Sequence, residues 1–222
     1  MTENGKSVIS SYSDRIRVDL QLVADQVAAG SRVLDVGCGD GTLLAHLRDF
    51  KQVDGRGLEM SMARVSAAVR HGLAVIQGDL ETDLKNYPAG AFDFVILSQT
   101  LQATHNPRMV LEDLLRIGKH AIVSFPNFGH WRVRTSLMMT GRIPTTPTLP
   151  QHWYETENIH LCTIKDFLSL VSELGVAIEA GYALDGGGQP RSYAATGRLA
   201  NLFSEQALFV LGQKTPKGTT LS

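Results

Sequence analysis

Short apolar runs alternate with helically spaced apolar residues along most of the chain. Bounded runs of four to eight apolar residues are typical of buried strands, whereas apolar residues three and four positions apart indicate helices. The runs that predict strands cover residues 32–36, 53–59, 73–77, 92–98, 120–125, 176–183 and 206–212. Because helices separate the first strands, the pattern predicts an α/β fold with a doubly wound, mostly parallel seven-stranded sheet.

Helix boundaries carry recognisable start and stop signals. An opening helix with Ile16, Leu20, Val23 and Val27 is expected to end at Gly30, where glycine can adopt the left-handed cap conformation. Later helices are bounded by Asn106-Pro107 and Gly118, and by a capping box of Thr163 and Asp166 before a stop at Gly175. The apolar residues at helical spacing on these and the intervening helices are Leu43, Leu44, Leu47, Phe50, Met62, Val65, Val69, Ile164, Phe167, Leu168 and Val171, and those from Met62 onward are expected to face inward.

Two regions depart from the alternation. The last two strands are joined by a long Gly-rich loop without a strong helical pattern, which predicts an antiparallel hairpin at the sheet edge. Residues 126–162 contain both tryptophans and four of the eight prolines, and this segment is too long for an ordinary connection. We interpret it as an insertion, either a lid or a docking surface, in a single domain over 14–212 with flexible ends at 1–13 and 213–222.

Composition excludes several classes of protein. With 21 Lys and Arg against 22 Asp and Glu, the net charge of -1 predicts neither nucleic-acid binding nor attraction to an anionic membrane. Two distant cysteines, Cys38 and Cys162, argue against a disulfide framework and a zinc site. No apolar run approaches the roughly 18 residues that span a bilayer. We therefore expect a soluble, cytoplasmic protein.

A glycine motif follows the first predicted strand. In VLDVGCGDG, Gly37, Gly39 and Gly41 lie between a strand and a helix, where missing side chains allow a sharp bend and close approach to a ligand. The spacing is G-x-G-x-G, whereas the dinucleotide fingerprint is G-x-G-x-x-G. The motif therefore predicts a nucleotide-type site that does not require a pyrophosphate, and its alternative is a tight turn without a ligand.

Three acidic residues extend this motif. Glu59 ends the second strand at the position that normally binds a ribose hydroxyl, Asp35 precedes the glycines, and Asp79 lies in QGDL at 77–80. Together these positions resemble class I S-adenosylmethionine-dependent methyltransferases. The resemblance implies that Asp35 and the glycine loop hold the methionine end of S-adenosylmethionine or S-adenosylhomocysteine, Glu59 the ribose and Asp79 the adenine amino group. The neighbouring residues expected in the same cofactor site are Cys38, Met60, Leu80 and Ser98.

Two of these acids also have a structural alternative. Glu59 could be a solvated strand end, and Asp79 a turn-forming carboxylate. The two cysteines are expected to be small packing residues rather than nucleophiles.

Catalytic residues are not evident. The segment SQTLQATHNP after the fourth strand lacks the N/D-P-P-Y/F signature, and His105 is the ordinary general-base candidate there, with a polar loop residue as the alternative. Methyl transfer by alignment alone also remains open. The residues His152, Glu155, Glu157 and His160 lack the spacing of a known metal motif, so no metal site is predicted.

Longer stretches outside the cofactor motifs resemble a narrower family. SFPNFGHWRVR at 124–134, GRIPTTPTLPQHWYETENIHLCTIKDF at 141–167 and NLFSEQALFVL at 201–211 are similar to the MetW family of bacterial methionine biosynthesis proteins. The resemblance covers the chain from about Asp14. It implies a cofactor-binding accessory subunit that acts with homoserine O-acyltransferase, an enzyme of α/β-hydrolase fold.

Three functional hypotheses therefore compete: this accessory subunit, a free-standing small-molecule methyltransferase, and a structural partner with a vestigial pocket. The intact acids disfavour the last. If the chain is a subunit, the 126–162 segment is the expected docking surface, because interfaces concentrate binding energy in aromatic and arginine anchors. The anchors that this segment supplies are Trp131, Arg132, Arg134, Met138, Met139, Trp153 and Tyr154. The alternative is that both tryptophans pack on the sheet edge.

Overall fold

One sheet organises the chain, for which the computed structural model describes residues 16–146, 148–156 and 158–214. Its strands are β1 (Arg32–Val36), β2 (Asp54–Glu59), β3 (Ala74–Gln77), β4 (Phe92–Ser98), β5 (Gly118–Pro126), β6 (Val176–Leu184) and β7 (Gln206–Lys214). Their order across the sheet is β3-β2-β1-β4-β5-β7-β6. The pairs from β3 to β5 are parallel, and β7 is antiparallel to both β5 and β6. The expected mostly parallel seven-stranded sheet with an antiparallel edge is confirmed.

Helices connect the strands and cover the sheet. They are α1 (Val18–Asp25), α2 (Thr42–Lys51), α3 (Met62–Arg70), α4 (Leu80–Asp83), α5 (Pro107–Ile117), α6 (Trp131–Thr140), α7 (Ile164–Leu174) and α8 (Arg198–Phe203). The sequence signals correctly predicted the starts of α5 and α7. The Asn106 side chain caps α5 by accepting a hydrogen bond from the Met109 amide, Pro107 is its first residue, and the Thr163–Asp166 capping box starts α7.

The opening helix is shorter than its apolar pattern indicated. It begins at Val18 and ends at Asp25, before Val27 and Gly30. Lys51 Nζ donates to the carbonyl oxygens of Ala24 and Val27, both at 2.6 Å, and so satisfies acceptors that a longer helix would bond internally.

The largest core cluster lies between the sheet and helices α5 and α7. Phe125, Phe167 and Phe209 form an aromatic group within it, with ring centroids of Phe125 and Phe167 at 4.7 Å and of Phe167 and Phe209 at 5.1 Å. Buried aromatic side chains are large contributors to core stability. This packing holds the carboxyl end of β5 beside the amino-terminal half of the antiparallel strand β7.

Two inward assignments on α3 are wrong. Met62 and Val69 are exposed, whereas Val65 and Ala68 are buried. Because a helix turns by about 100° per residue, Met62 and Val69 lie toward the borders of the face centred between Val65 and Ala68. Helix α3 packs near the β3 edge, where little of the protein covers those borders.

Three helices had no counterpart in the sequence pattern. Helix α6 lies inside the 126–162 segment and buries Val133 alone, while α4 and α8 have four and six residues. Such elements carry too few buried apolar residues to produce a helical repeat. Strand β7 reaches Lys214, two residues into the expected tail, and the rest of both expected flexible ends lies outside the described residues.

Candidate functional site

A cavity of about 890 Å³ opens at the carboxyl ends of the central strands. It lies where β1 and β4 are neighbours, the point at which the strand order reverses and at which doubly wound sheets bind ligands. The catalytic candidate His105 lines the cavity. So do all of the predicted cofactor residues except Gly41, namely Asp35, Gly37, Cys38, Gly39, Glu59, Met60, Asp79, Leu80 and Ser98.

The glycine loop forms one wall of the cavity. Gly37 and Gly39 have φ of +73° and +60°, a region that favours glycine. A Cβ on Gly37 would lie 2.9 Å from Thr100 Oγ1, whereas a Cβ on Gly39 would meet no protein atom within 4 Å. Position 39 therefore leaves open space where backbone faces the cavity.

Gly41 serves packing rather than the cavity wall. It is the N-cap residue of α2 with φ of +82°, and a Cβ there would collide with the Leu73 side chain and come within 3.1 Å of Ala68 Cβ. The third glycine of the motif thus allows α2 to approach the region around α3.

Glu59 is held from two sides by backbone amides. The Gly39 N–H donates to Oε2 at 2.9 Å, and the Ser61 N–H donates to Oε1 at 2.9 Å. The residue is only 6% exposed, so it is not a solvated strand end. Each carboxylate oxygen can accept a second hydrogen bond, and both remain available to a ligand in the cavity.

Asp35 is the most deeply buried acid in the site. It is 3% exposed, and its carboxylate has no hydrogen-bond partner within the described part of the chain. Burial, together with the nearby Glu59 carboxylate, raises the pKa of Asp35 to about 7. An unpaired buried carboxylate is costly unless a cation or donor reaches it. Its position on the cavity wall would allow a positively charged ligand group to pair with it.

Asp79 is a turn-forming carboxylate that also lies on the cavity wall. Its Oδ1 accepts a hydrogen bond of 2.9 Å from the Glu81 N–H and caps α4, as a turn-forming carboxylate does. The same residue lines the cavity. Its second oxygen makes no hydrogen bond with the residues that the structure describes.

His105 lies at the mouth of the cavity with a carboxylate partner. Its Nδ1 is 2.7 Å from Glu81 Oε2, and the imidazole is largely exposed. Burial acts to raise the pKa of Glu81, but hydrogen bonds from the Asn106 N–H and from His105 outweigh it and hold the pKa below its usual value. The arrangement is that of a histidine oriented by an ionised acid.

Among the cavity residues that the sequence reasoning missed, three have no local sequence signal. Gln151 and Asn158 come from the 126–162 segment, and Gln99 follows β4 with φ of +56°, which is unusual for a residue other than glycine. Gln99 Nε2 donates to Gln206 Oε1 at 2.9 Å. Neither backbone strain at Gln99 nor a side-chain pair this distant in sequence has a local sequence signal.

The 126–162 segment presents large apolar side chains to solvent. Trp153 is 73% exposed, so it does not pack on the sheet edge. The other exposed members include Trp131, Met138, Met139, Tyr154, Ile159 and Leu161. Large exposed apolar side chains concentrated in one segment are a common feature of interaction sites.

The same segment is attached to the cavity wall. The backbone N–H groups of Ile159 and His160 both donate to the Gln102 carbonyl oxygen at 2.9 Å, and His160 Nε2 is 3.3 Å from the His105 carbonyl oxygen. Gln151 and Asn158 lie on the cavity side, whereas Trp153 and Tyr154 lie outside. One stretch of chain therefore contributes to both surfaces.

Cysteine and metal chemistry have little support in the described residues. Cys38 and Cys162 are free, and burial raises the pKa of both thiols, that of Cys162 to about 12. No three His, Cys, Asp or Glu side chains in the described ranges come together as a metal site, and Glu157 lies outside those ranges. Among the helices described here, none is long and apolar enough to cross a membrane.

Comparison with known proteins gives a family match over most of the chain. Residues 17–211 match the model of the family described as "Methionine biosynthesis protein MetW". A bifunctional methionine biosynthesis protein MetXA/MetW of Rhodopirellula baltica is 37% identical over 187 residues, which cover 80% of this chain and 30% of that protein. The chain thus spans less than a third of the length of this relative.

Solved structures agree on the fold. A putative methyltransferase in complex with the Haloferax volcanii Trm112 methyltransferase activator superposes with a TM-score of 0.62 at 16% identity, covering 95% of this chain and 96% of that chain. A TehB-like methyltransferase of Corynebacterium glutamicum gives a TM-score of 0.59 at 16% identity, covering 95% of each. At this identity the likeness concerns the fold, which is that of class I methyltransferases.

Proposed function

The chain belongs to the MetW family of methionine biosynthesis proteins, and from this premise we propose that it binds S-adenosylmethionine or S-adenosylhomocysteine and acts on a homoserine O-acyltransferase. The observation that carries the cofactor half of the proposal is the buried, unpaired Asp35 carboxylate on the wall of the large cavity. The exposed apolar surface of residues 126–162 carries the partner half.

The cavity residues fit the proposed cofactor. Both candidate ligands carry an ammonium group at the methionine end, and a cation beside Asp35 would offset the cost of burying its charge. Gly39 leaves room for the ligand next to the loop backbone. These are properties of a site shaped for a cationic group, which a tight turn without a ligand would not need.

The remaining acids suit the nucleoside. Glu59 keeps one acceptor position on each oxygen, which two ribose hydroxyls could use while the Gly39 and Ser61 amides hold the carboxylate still. The second oxygen of Asp79 can accept from the adenine amino group. Each role is one that the methyltransferase resemblance assigned to these positions.

The acyltransferase partnership draws on the relative and on the surface. The Rhodopirellula baltica protein joins a MetXA and a MetW part in one chain, which supports a lasting association between the two kinds of protein. We take homoserine O-acyltransferase as the separate counterpart of the MetXA part. Because Gln151, Asn158 and Trp153 belong to one stretch of chain, cofactor binding has a short route to the proposed docking surface.

A free-standing methyltransferase is the second candidate function. The His105–Glu81 pair favours it, since a base oriented by a carboxylate at the cavity mouth could take a proton from a methyl acceptor. Robust methyl transfer from labelled cofactor to a metabolite in a cytosolic extract, removed by His105→Ala, would establish this alternative.

Two experiments test the proposal in separable steps. Calorimetry with S-adenosylmethionine and S-adenosylhomocysteine tests the cofactor half, and binding of NAD instead would contradict it. Co-expression with the homoserine O-acyltransferase of the same organism, followed by pull-down and an acyl-transfer assay, tests the partner half. Absence of both capture and any change in acyl transfer would reject that half while leaving the cofactor result intact.

A further inference from the structure

A second, smaller cavity lies beside helix α6. It has a volume of about 300 Å³ and shares no lining residue with the large cavity. This volume is at the lower end of the range for small-molecule sites. The side chains that carry its chemistry are His130, Arg132, Ser136 and Glu205.

Two polar side chains in this cavity, the buried His130 and the partly buried Glu205, have unused hydrogen-bonding capacity. His130 is 5% exposed, and neither ring nitrogen is hydrogen bonded to any described residue. The Glu205 side chain is 15% exposed and likewise has no hydrogen bond within the described ranges. By contrast, the adjacent buried Asn127 uses its amide fully, through Asn201, Ser204, Gly129 and Ile164. Unsatisfied buried groups are rare in native proteins and indicate a missing partner.

The cavity offers charges of both signs. Arg132 Nη1 lies 3.8 Å from Glu205 Oε1, too far for a hydrogen bond, so each group keeps its full hydrogen-bonding capacity. The Arg132 guanidinium also lies 5.5 Å from the Trp131 ring centroid, which helps to position it. Burial lowers the pKa of His130 below its usual value, so its ring is mainly neutral near pH 7 and can donate or accept a hydrogen bond.

We propose that this cavity binds a small α-amino acid with a hydroxylated side chain. Arg132 pairs with the carboxylate in the forked geometry that guanidinium groups favour. Glu205 accepts from the ammonium group. His130 and the Ser136 hydroxyl, which has no hydrogen bond within the described ranges, bind the side-chain hydroxyl.

The second site has a defined connection to the large cavity. Glu205 is followed by Gln206, whose side chain accepts the hydrogen bond from Gln99 on the wall of the large cavity. A ligand that binds Glu205 therefore lies next to Gln206, which is hydrogen bonded to Gln99 in the proposed cofactor site. The amino-acid site itself depends neither on the cofactor nor on the acyltransferase.

The test uses the full chain and four matched probes in calorimetry. L-homoserine carries all three groups, 2-aminobutanoate lacks the hydroxyl, 4-hydroxybutanoate lacks the ammonium and 3-amino-1-propanol lacks the carboxylate. We expect L-homoserine to bind and each of the other three probes to bind at least tenfold more weakly. No binding of L-homoserine at millimolar concentration, or equal binding of all four probes, would overturn the proposal.

Variants locate the binding in this cavity. Arg132→Gln and Glu205→Gln should each weaken L-homoserine binding at least tenfold, whereas the exposed Arg198→Gln should leave it unchanged. Thermal unfolding of the same variants verifies that they are folded. Wild-type affinity for L-homoserine in both cavity variants would contradict the proposal, as would a loss in Asp35→Asn equal to the loss in Arg132→Gln, which would place the probe in the large cavity.

Discussion

The two sides of the large cavity, one formed by β1 and β2 and the other by residues 126–162, differ in which side chains they bury and expose. On the β1–β2 side, acidic residues are buried, and Glu59 is fixed by the Gly39 and Ser61 amides. On the side of residues 126–162, apolar side chains such as Trp153 are exposed. Each arrangement has an energetic cost in the isolated chain, because buried carboxylates lose hydration and exposed aromatic rings stay in water.

The difference indicates two kinds of missing partner. A buried carboxylate is relieved by a small cation that fits the cavity, whereas a broad apolar surface is relieved only by another macromolecular surface. In our proposal the cofactor therefore binds on one side of the rim and the protein partner on the other. Substitutions on one side should therefore leave the other function largely unchanged.

The largest effect is expected for Asp35→Asn. The amide cannot pair with the cationic methionine end, so S-adenosylmethionine affinity should fall at least about a hundredfold, or about 3 kcal/mol. Calorimetry measures this loss, with the exposed Asp54→Asn as a matched control that should bind as wild type does. Binding of the acyltransferase should persist in Asp35→Asn.

The pH dependence of binding tests the same group without mutation. Since the pKa of Asp35 is raised to about 7 in the unliganded protein, the affinity for the cationic ligand should rise about tenfold per pH unit from pH 5 toward pH 7 and level off above it. Asp35→Asn should remove this dependence. An affinity that falls over the same range would contradict the assignment.

The contribution of Asp35 to the stability of the unliganded protein should fall as the pH rises, whereas ligand affinity rises. A folded-state pKa above the unfolded value of 3.8 means that the folded protein binds the proton more tightly. The stabilising contribution of Asp35 is therefore complete below about pH 4 and is lost as the pH rises through about 7. Thermal unfolding across this range should show Asp35→Asn gaining stability relative to wild type as the pH rises.

On the other side of the rim, Trp153→Ala should weaken acyltransferase binding by about 2 kcal/mol, the effect of an interface anchor. Because Trp153 is exposed, the melting temperature of the Trp153→Ala variant should remain close to that of the wild-type protein. Phe50→Ala removes an exposed aromatic ring from α2 and serves as the matched control, with no expected change in binding. Unfolding of Trp153→Ala, or undiminished capture of the partner, would show that the segment has another role.

The smallest expected effect is the difference in stability between substitutions of Gly39 and of Gly41. Ala at position 39 or 41 adds strain of about 1–2 kcal/mol, since both have positive φ. Gly41→Ala should lose about 1 kcal/mol more than Gly39→Ala, because its Cβ also collides with Leu73. Denaturant unfolding measures this difference, while calorimetry should show the greater loss of cofactor affinity in Gly39→Ala. Equal stability of the two variants would contradict the packing role of Gly41.

Local signals explain what the sequence could predict. The strands, the glycine turn and the caps at Asn106 and Thr163 depend on neighbouring residues, so their patterns are readable. Helix α6 could not be predicted because Val133 is its only buried residue. Gln151 and Asn158 reach the cavity through the path of a long segment, which no local pattern indicates. The second cavity joins Arg132 to Glu205 across a wide sequence separation, which no motif marks.

Whether the protein acts on the acyltransferase is tested most directly by the acyl-transfer rate of that enzyme. The rate is measured with the enzyme alone, with the wild-type protein and with Trp153→Ala, each with and without S-adenosylmethionine. We expect the wild-type protein to change the rate severalfold, the cofactor to modify this change, and Trp153→Ala at the same concentration to have little effect. An acyl-transfer rate identical in the presence and absence of the wild-type protein would contradict this expectation.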